Sequence, residues 1–422
     1  MNDDIRNALE QFRKNNRRYA LPLRYYNGDH NLAFASEKFQ NTFGALFREF
    51  AMNLCPAICD ALKDRLQVTG FGVSGQGGDR GASAASAAAS IWRRCRMPLR
   101  SAEVHKEAIL SGDAYVVVWP DETGEPAIFP HKAANMCVVY DEERPGRIIS
   151  AAKYWQTRGS IRLNMFYRDR IERYVSNAAS GSGLPEHNEF QPLAEQSIID
   201  NPYDIVPVFH FGNNADLGSL GRSELAAAIP IQDGLNKSVL DMLVAMEFSA
   251  YRQRWAAGIE FEVDTDGKPI KPFNSGVEHL WITDNPNAKF GDFDAADLDQ
   301  FLKVKDGFRM DMASVTGTPL YYLMPQVKGV PSGESIKKAE TRFIAKVSDR
   351  QRCFGQVWSD VMSFALQIAG CGRGIEINPR WEDAIQLSDR ERLENILLKR
   401  RIGLPARAAL QEAGYGMEEV EA

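Results

Sequence analysis

No stretch of this 422-residue chain approaches the roughly 18 consecutive apolar residues that a membrane-crossing helix needs. Met1 to Phe12 is polar and charged where a secretory leader would be apolar. The chain therefore reads as made in the cytosol, with no membrane partner. Cysteine is scarce: Cys55, Cys59, Cys95, Cys137, Cys353 and Cys371 are the only six, and none forms a Cys-x-x-Cys pair. That excludes a disulfide scaffold. Cys55 and Cys59 could share one helical face, yet no histidine stands at zinc-ligand spacing beside them, so the cysteines read as buried free thiols. Six histidines are scattered singly and read as structural or surface residues.

Sequence signatures of catalysis are missing too. A nucleotide-driven motor needs a phosphate loop ending in Gly-Lys-Ser or Gly-Lys-Thr, and none occurs; the glycine-rich run from Gly75 to Gly81 has no lysine in place. There is no His-Glu-x-x-His, no nucleophile elbow and no kinase loop set. Nothing asks for a cofactor, and no residue stands out as catalytic.

What is present is ordinary globular material. Apolar residues make up 44% and charged residues 25%, enough to fold most of the chain. The length leaves room for about three domains of roughly 150 residues. The formal net charge of −6 argues against tight DNA binding, because duplex affinity comes largely from Lys and Arg displacing condensed counterions. A partner of that kind would be touched locally or loosely.

Periodicity divides the chain. Phe39, Phe43, Leu46, Phe47 and Phe50 recur at helical intervals and predict helix over 37–66, with a second start or kink at Pro56. Gly70 onward reads as a loop that gives way to an Ala/Ser-rich helix start. From Asp113 to Phe211 the pattern becomes one of strands: 114–119, 136–140, 148–155, 161–167, 170–175 and 206–211. Pro230 opens a helix to about Tyr251 that is apolar on all sides, and Leu235, Val239, Met242 and Met246 on it are the candidate subunit interface. Two strand-like pieces, 258–263 and 277–282, precede another helix from about Ala295 to Ser314. Residues 334–368 keep helical spacing for about 50 Å at 1.5 Å per residue, with Gly355 the natural kink. Two short helices close the chain, the first capped at Ser388 with Glu391 three residues on, with Gly403 and Pro405 between them.

Two charged constellations merit weighing. Asp292, Asp294, Asp297 and Asp299 are close enough for two to share a divalent cation, but they also precede a helix, whose positive end favours acidic residues. Lys338, Arg342, Lys346 and Arg350 recur every four residues and form one basic stripe, read as a solvated face or subunit contact, or as a contact to a phosphate backbone. Asp264-Thr265-Asp266-Gly267 lacks the glutamate a calcium loop needs, Phe273 standing in its place, and reads as a turn.

Three stretches carry a family resemblance. Tyr25-Tyr26-Asn27-Gly28-Asp29-His30, continuing through Phe34, Lys38-Phe39 and Phe43-Gly44 to Asn53 and Asp60-Ala61-Leu62, resembles the opening of tailed-phage portal proteins, in the branch common in phages and prophages of high-GC bacteria. Gly221-Arg222-Ser223-Glu224-Leu225 followed by Gln232 to Lys237 is similar to that family's lead-in to its stem helix, and Pro331 to Ser335 entering Lys338-Ala339-Glu340 to the start of its long internal helix. The resemblance implies an α+β subunit with an α/β wing (1–220), a first stem helix region (221–251), a small β clip (252–294) and a second stem helix (295–316). A tunnel loop (317–333), a long kinked wing helix (334–371) and a short helical crown (372–422) follow. It further implies a ring, usually of twelve copies, at one capsid vertex in the virion, assembled in the bacterial host cytoplasm. Double-stranded DNA would pass through it, and terminase, capsid and neck or adaptor proteins would dock. The apolar half of the tunnel loop, Leu320 to Met324, would anchor in the core and leave Gln326, Val327, Lys328, Gly329 and Val330 to reach the axis. Two other classes stand beside this one: a metal-dependent nuclease or phosphotransferase using Asp292 to Asp299, and a monomeric adaptor for one protein partner.

Overall fold

The computed structural model describes residues 2–34, 37, 41, 51–73, 79–157, 159–177, 183–216, 220–250, 254–258, 285–292, 297–324, 333–385, 389–406 and 409–410. The chain divides into two compact units: residues 1–27, 54–229 and 313–422 form one, and residues 28–53 and 230–312 the other.

The first unit begins with a helix that sequence periodicity did not suggest, α1 (Asn2–Tyr26). Its apolar residues are few but aligned: Ile5, Leu9 and Phe12 lie one turn apart and are buried. They pack on one face of an antiparallel meander made of β4 (Met136–Tyr140), β5 (Ile148–Thr157), β6 (Ser160–Phe166) and β7 (Arg170–Ser176). Short strands β8 (Gln191–Pro192) and β9 (Ile198–Asp200) share the outer edge of β7. Alternation along the strands builds two cores. Cys137, Ala152, Leu163 and Met165 face α1, whereas Met136, Val138, Ala151 and Phe166 turn to the opposite side, toward Tyr115, Val117 and Val208.

Tyr115 and Val117 belong to β2 (Asp113–Pro120), the centre of a three-stranded sheet between β10 (Val208–Gly212) and β3 (Pro126–Lys132). Strand β3 escaped the sequence pattern because Pro126 and Pro130 argue against a strand. It is an edge strand, where a residue that cannot donate to a ladder is tolerated. Helices α2 (Cys55–Lys63), α3 (Asp79–Arg94) and α4 (Met97–Ser111) complete this part of the unit. Pro56 stands in the first turn of α2, as expected, but 51–54 is not helical and most of 38–50 lies outside the described residues. Gly70 corrects another expectation: it falls within β1 (Val68–Val73), which pairs antiparallel with β13 (Ile377–Trp381), more than 300 residues away in sequence.

The long helix is α8 (Gly333–Ile368), close to the span predicted. Its Phe354 and Trp358 are fully buried among Trp92, His105, Phe211 and Trp381. At Gly355, the expected kink, a Cβ would stand 3.2 Å from the Trp381 indole nitrogen, so the glycine lets β13 approach the helix. Preceding α8 is a short helix, α7 (Leu320–Leu323), and following β13 is α9 (Asp389–Arg401). Cys55, Cys59 and Cys137 are buried thiols, the last pushed up to about 12 by burial, but Cys353 and Cys371 are exposed, contrary to the expectation for all six.

The second unit holds most of two long helices, α5 (Ile229–Ala250) and α6 (Leu298–Thr316), and the strand pair β11 (Arg254–Ala257) with β12 (Lys289–Asp292). Gly234 of α5 admits the Phe308 ring of α6, which a Cβ would meet at 2.8 Å. The expected strands at 258–263 and 277–282 and the turn at Asp264 lie outside the described residues, apart from Gly258 itself. Among the described residues, no helix is long and apolar enough to cross a membrane.

Candidate channel and assembly surfaces

The tunnel-loop residues Gln326, Val327, Lys328, Gly329 and Val330 lie outside the described residues. The two ends that carry them are held by one cluster around the buried Arg65–Glu340 pair. Before the loop, α7 buries Leu323 and presents Tyr321 and Tyr322. After it, Glu340 on the second turn of α8 accepts a hydrogen bond from the Tyr321 hydroxyl and pairs with Arg65 at 3.3 Å. Arg65 also donates to the Tyr322 hydroxyl at 3.3 Å and to the Ala384 carbonyl at 2.7 Å. Arg65 and Glu340 are each 7% exposed, so the pair is desolvated, and losing either partner would strand a buried charge. Burial, and then the bond to Glu340, pushes the Tyr321 phenol well above its ordinary range. The result is a clasp that joins residues 321 and 340.

The basic stripe, read as a solvated face or subunit contact or as a phosphate contact, is solvated only in part: Arg342 is exposed, Lys346 half-buried and Arg350 buried. Lys346 and Arg350 both reach Glu224, at 2.5 and 2.9 Å, and Arg350 is buried, with Asn213 and Asp349 as further partners. Arg342 donates to the Ser314 carbonyl at 2.8 Å and Lys346 to the Thr316 carbonyl at 2.9 Å. These are last-turn carbonyls of α6, which lack helical partners and sit at the negative end of the helix dipole. Three of the four cations thus serve the fold; the side chain of Lys338 lies outside the described residues. Burial would raise the Glu224 carboxyl, but Lys346 and Arg350 outweigh it and hold the group below its usual range.

Glu224 belongs to the Gly-Arg-Ser-Glu-Leu stretch, and the whole of that stretch is built into the first unit. The Gly221 amide donates to Asp113 at 2.7 Å, and Arg18 donates to the Gly221 carbonyl. A Cβ on Gly221 would lie 1.9 Å from the Gly112 carbonyl oxygen, so no larger residue fits. Asp113, fully buried, also accepts from the Tyr19 hydroxyl at 2.8 Å and from His210 Nε2 at 2.7 Å, and the Tyr140 hydroxyl lies 2.6 Å from His210 Nδ1. A carboxylate only accepts, so His210 donates to Asp113 from Nε2. Sequence reading missed this Asp-His-Tyr series because its members are scattered over 97 residues. Tyr140 and His210 line a cleft of about 660 Å³, but burial, with Asp113 adding to it, pushes the Tyr140 phenol far above the range of a general base at neutral pH. The series ties α1, β2, β4 and β10 to the approach to α5.

On α5 the four candidate interface residues separate. Leu235 is fully buried in its own chain and so is core, not a surface for a neighbour. Val239 and Met242 are half-buried, and Met246 is exposed. The start of the helix is fixed by Gln232 donating to the Met52 carbonyl at 2.8 Å and by Asn236 against His30 at 2.7 Å. Helix α6 leaves Leu302, Val304, Met310 and Val315 exposed. At about 100° per residue, Leu302 and Met310 fall on one side and Val304 and Val315 on the other. Of the acidic cluster, Asp297 accepts from the Asp299 amide at 3.0 Å and so caps α6, while Asp294 lies outside the described residues. Among the described residues no three His, Cys, Asp or Glu side chains are grouped to hold a metal ion.

The family model for phage portal proteins of the SPP1 Gp6-like type matches residues 7–413. The chain belongs to this portal family. It is 28% identical to the portal protein of Mycobacterium phage L5 over 181 residues, 42% of this chain and 37% of that protein. Against the portal protein of Mycobacterium phage D29 the identity is 28% over 169 residues, 39% of this chain and 34% of that one. The alignments thus span little more than a third of these relatives, both from phages of high-GC hosts. Likeness in fold extends over more of the chain. A chain in the neck of an empty gene transfer agent particle superposes with a TM-score of 0.51 at 13% identity, covering 87% of this chain and 91% of that one. A chain of the native gene transfer agent virion does so with a TM-score of 0.50 at 14% identity, over the same shares.

Proposed function

We propose that this chain is the structural subunit of a portal ring, of about twelve copies, at one vertex of a tailed-phage or prophage capsid. Double-stranded DNA enters and leaves through its centre. A separate terminase supplies the energy of packaging, and capsid and neck proteins dock on its outer surfaces; assembly takes place in the bacterial cytoplasm. The observation that carries this reading is family membership across nearly the whole chain. Two features support it. Helix α6 exposes apolar residues on opposite sides, as a helix wedged between neighbours on both flanks would. The clasp of Tyr321, Glu340 and Arg65 gives residues 325–332 a fixed base from which to reach an axis.

A channel that DNA must slide through is better sparsely basic than densely so, because each neutralised phosphate releases counterions and adds grip. One Lys328 per subunit meets that need. The experiment is to shorten Val327 to Val330 and, separately, to make Lys328→Glu, then image the particles and measure DNA packaging in parallel. Rings with a central hole, intact in both variants but packaging poorly or leaking DNA, are the expected result. Normal packaging by both removes the channel role of the loop, and a parent protein without a central hole removes the ring.

A further inference from the structure

Helix α9 is packed inside out. Only Ile396 is buried among its described apolar side chains, at 7% exposure, whereas Leu393, Leu397 and Leu398 are each more than half exposed and Ile402 just beyond reaches 82%. A helix with one apolar stripe turns that stripe to its own core; this one holds its leucines outward. Arg400 and Arg401 in the last turn are exposed, and Arg401 projects between Leu397 and Leu398. Basic residues there also complement the helix dipole, but the dipole does not account for the leucines. The combination of exposed Leu and Arg defines the partner: a short segment with apolar side chains set among carboxylates. The chain itself contains one. Residues 411–422, outside the described residues, carry Glu412, Glu418, Glu419 and Glu421 without a single Lys or Arg, with Met417 and Val420 among them.

We infer that the Leu393, Leu397, Leu398, Arg400 and Arg401 face of one subunit receives the acidic Met417 to Glu421 segment of the next. The inference rests on the ring reading. A ring is made by head-to-tail contacts in which two different patches meet, and a basic apolar face and an acidic apolar tail are two such patches. Two copies of the α9 face would instead repel through Arg400 and Arg401.

The test uses the full chain with the exposed Cys353 and Cys371 changed to Ser, carrying Leu398→Cys and Val420→Cys. Mild oxidation of assembled rings is expected to give a ladder of covalent multimers on a non-reducing gel. Internally cross-linked monomer alone would place the tail on its own helix and overturn the inference, as would rings that give no cross-link. A parent that never assembles would overturn the ring reading, and this inference with it. In a second arm, Arg400→Glu with Arg401→Glu, and separately Glu418→Lys with Glu419→Lys, are each expected to raise the concentration needed for assembly by about tenfold. Mixing the two variants is expected to restore part of the loss, and equal assembly by both unmixed variants and the parent would count against the contact.

Discussion

At the scale of single residues, His105 shows what burial imposes. Its Nδ1 faces the Leu66 carbonyl at 3.0 Å and its Nε2 accepts from the Trp358 indole N–H at 2.8 Å, which requires the neutral ring protonated on Nδ1. A second proton would set two donors against each other in a site that excludes water. Burial lowers the folded-state pKa to about 4, whereas an unfolded histidine titrates near 6.5. Between these values the unfolded chain binds a proton that the folded chain refuses, so stability falls as pH drops from about 6.5 toward 4, by up to about 3 kcal/mol. Urea unfolding at pH 7 and pH 4.5 checks this: the wild type is expected to lose stability over that interval, and His105→Gln to be less stable at pH 7 but less sensitive to acid. His131, lowered to about 3 by burial and then by Lys153, keeps part of the dependence in both proteins.

At the scale of elements, α5 changes its burial along its length. Leu235 lies in the core and Met246 at the surface, although both belong to the same apolar run. Leu235→Asp buries an unpaired charge and is expected to lower the stability of the monomer by several kcal/mol, seen as loss of the folded baseline in thermal unfolding. Met246→Asp is expected to leave the melting temperature nearly unchanged while shifting native mass from ring to small soluble species. Full rings from Met246→Asp would move the interface elsewhere on the helix. Periodicity identified this helix and α8 closely, because both repeat apolar residues over many turns. It failed for α1, where aligned residues such as Ile5, Leu9 and Phe12 are diluted by charge, and for β3, where proline is acceptable only because the strand lies at an edge.

At the scale of the whole molecule, the net charge is −6, and Lys346 and Arg350 of the basic stripe are already paired with Glu224 within the fold. The purified chain is expected to hydrolyse no ATP and to cut no DNA with Mg²⁺ present, since no phosphate loop occurs and Asp297 is engaged in capping α6. Turnover that survives further purification and is abolished by Asp294→Asn and Asp297→Asn would reassign the acidic cluster as a metal site. The portal family, the long helices and most of the meander strands could be read from order and spacing along the chain, because they depend on neighbours a few residues apart or on motifs in sequence order. Tertiary structure alone decided that β1 joins β13, that Arg65 meets Glu340, that Glu224 pairs with Lys346 and Arg350 and that Leu235 is core. Each of these depends on which distant segment lies opposite a given face, and local periodicity gives the direction of a side chain along its element but not its partner.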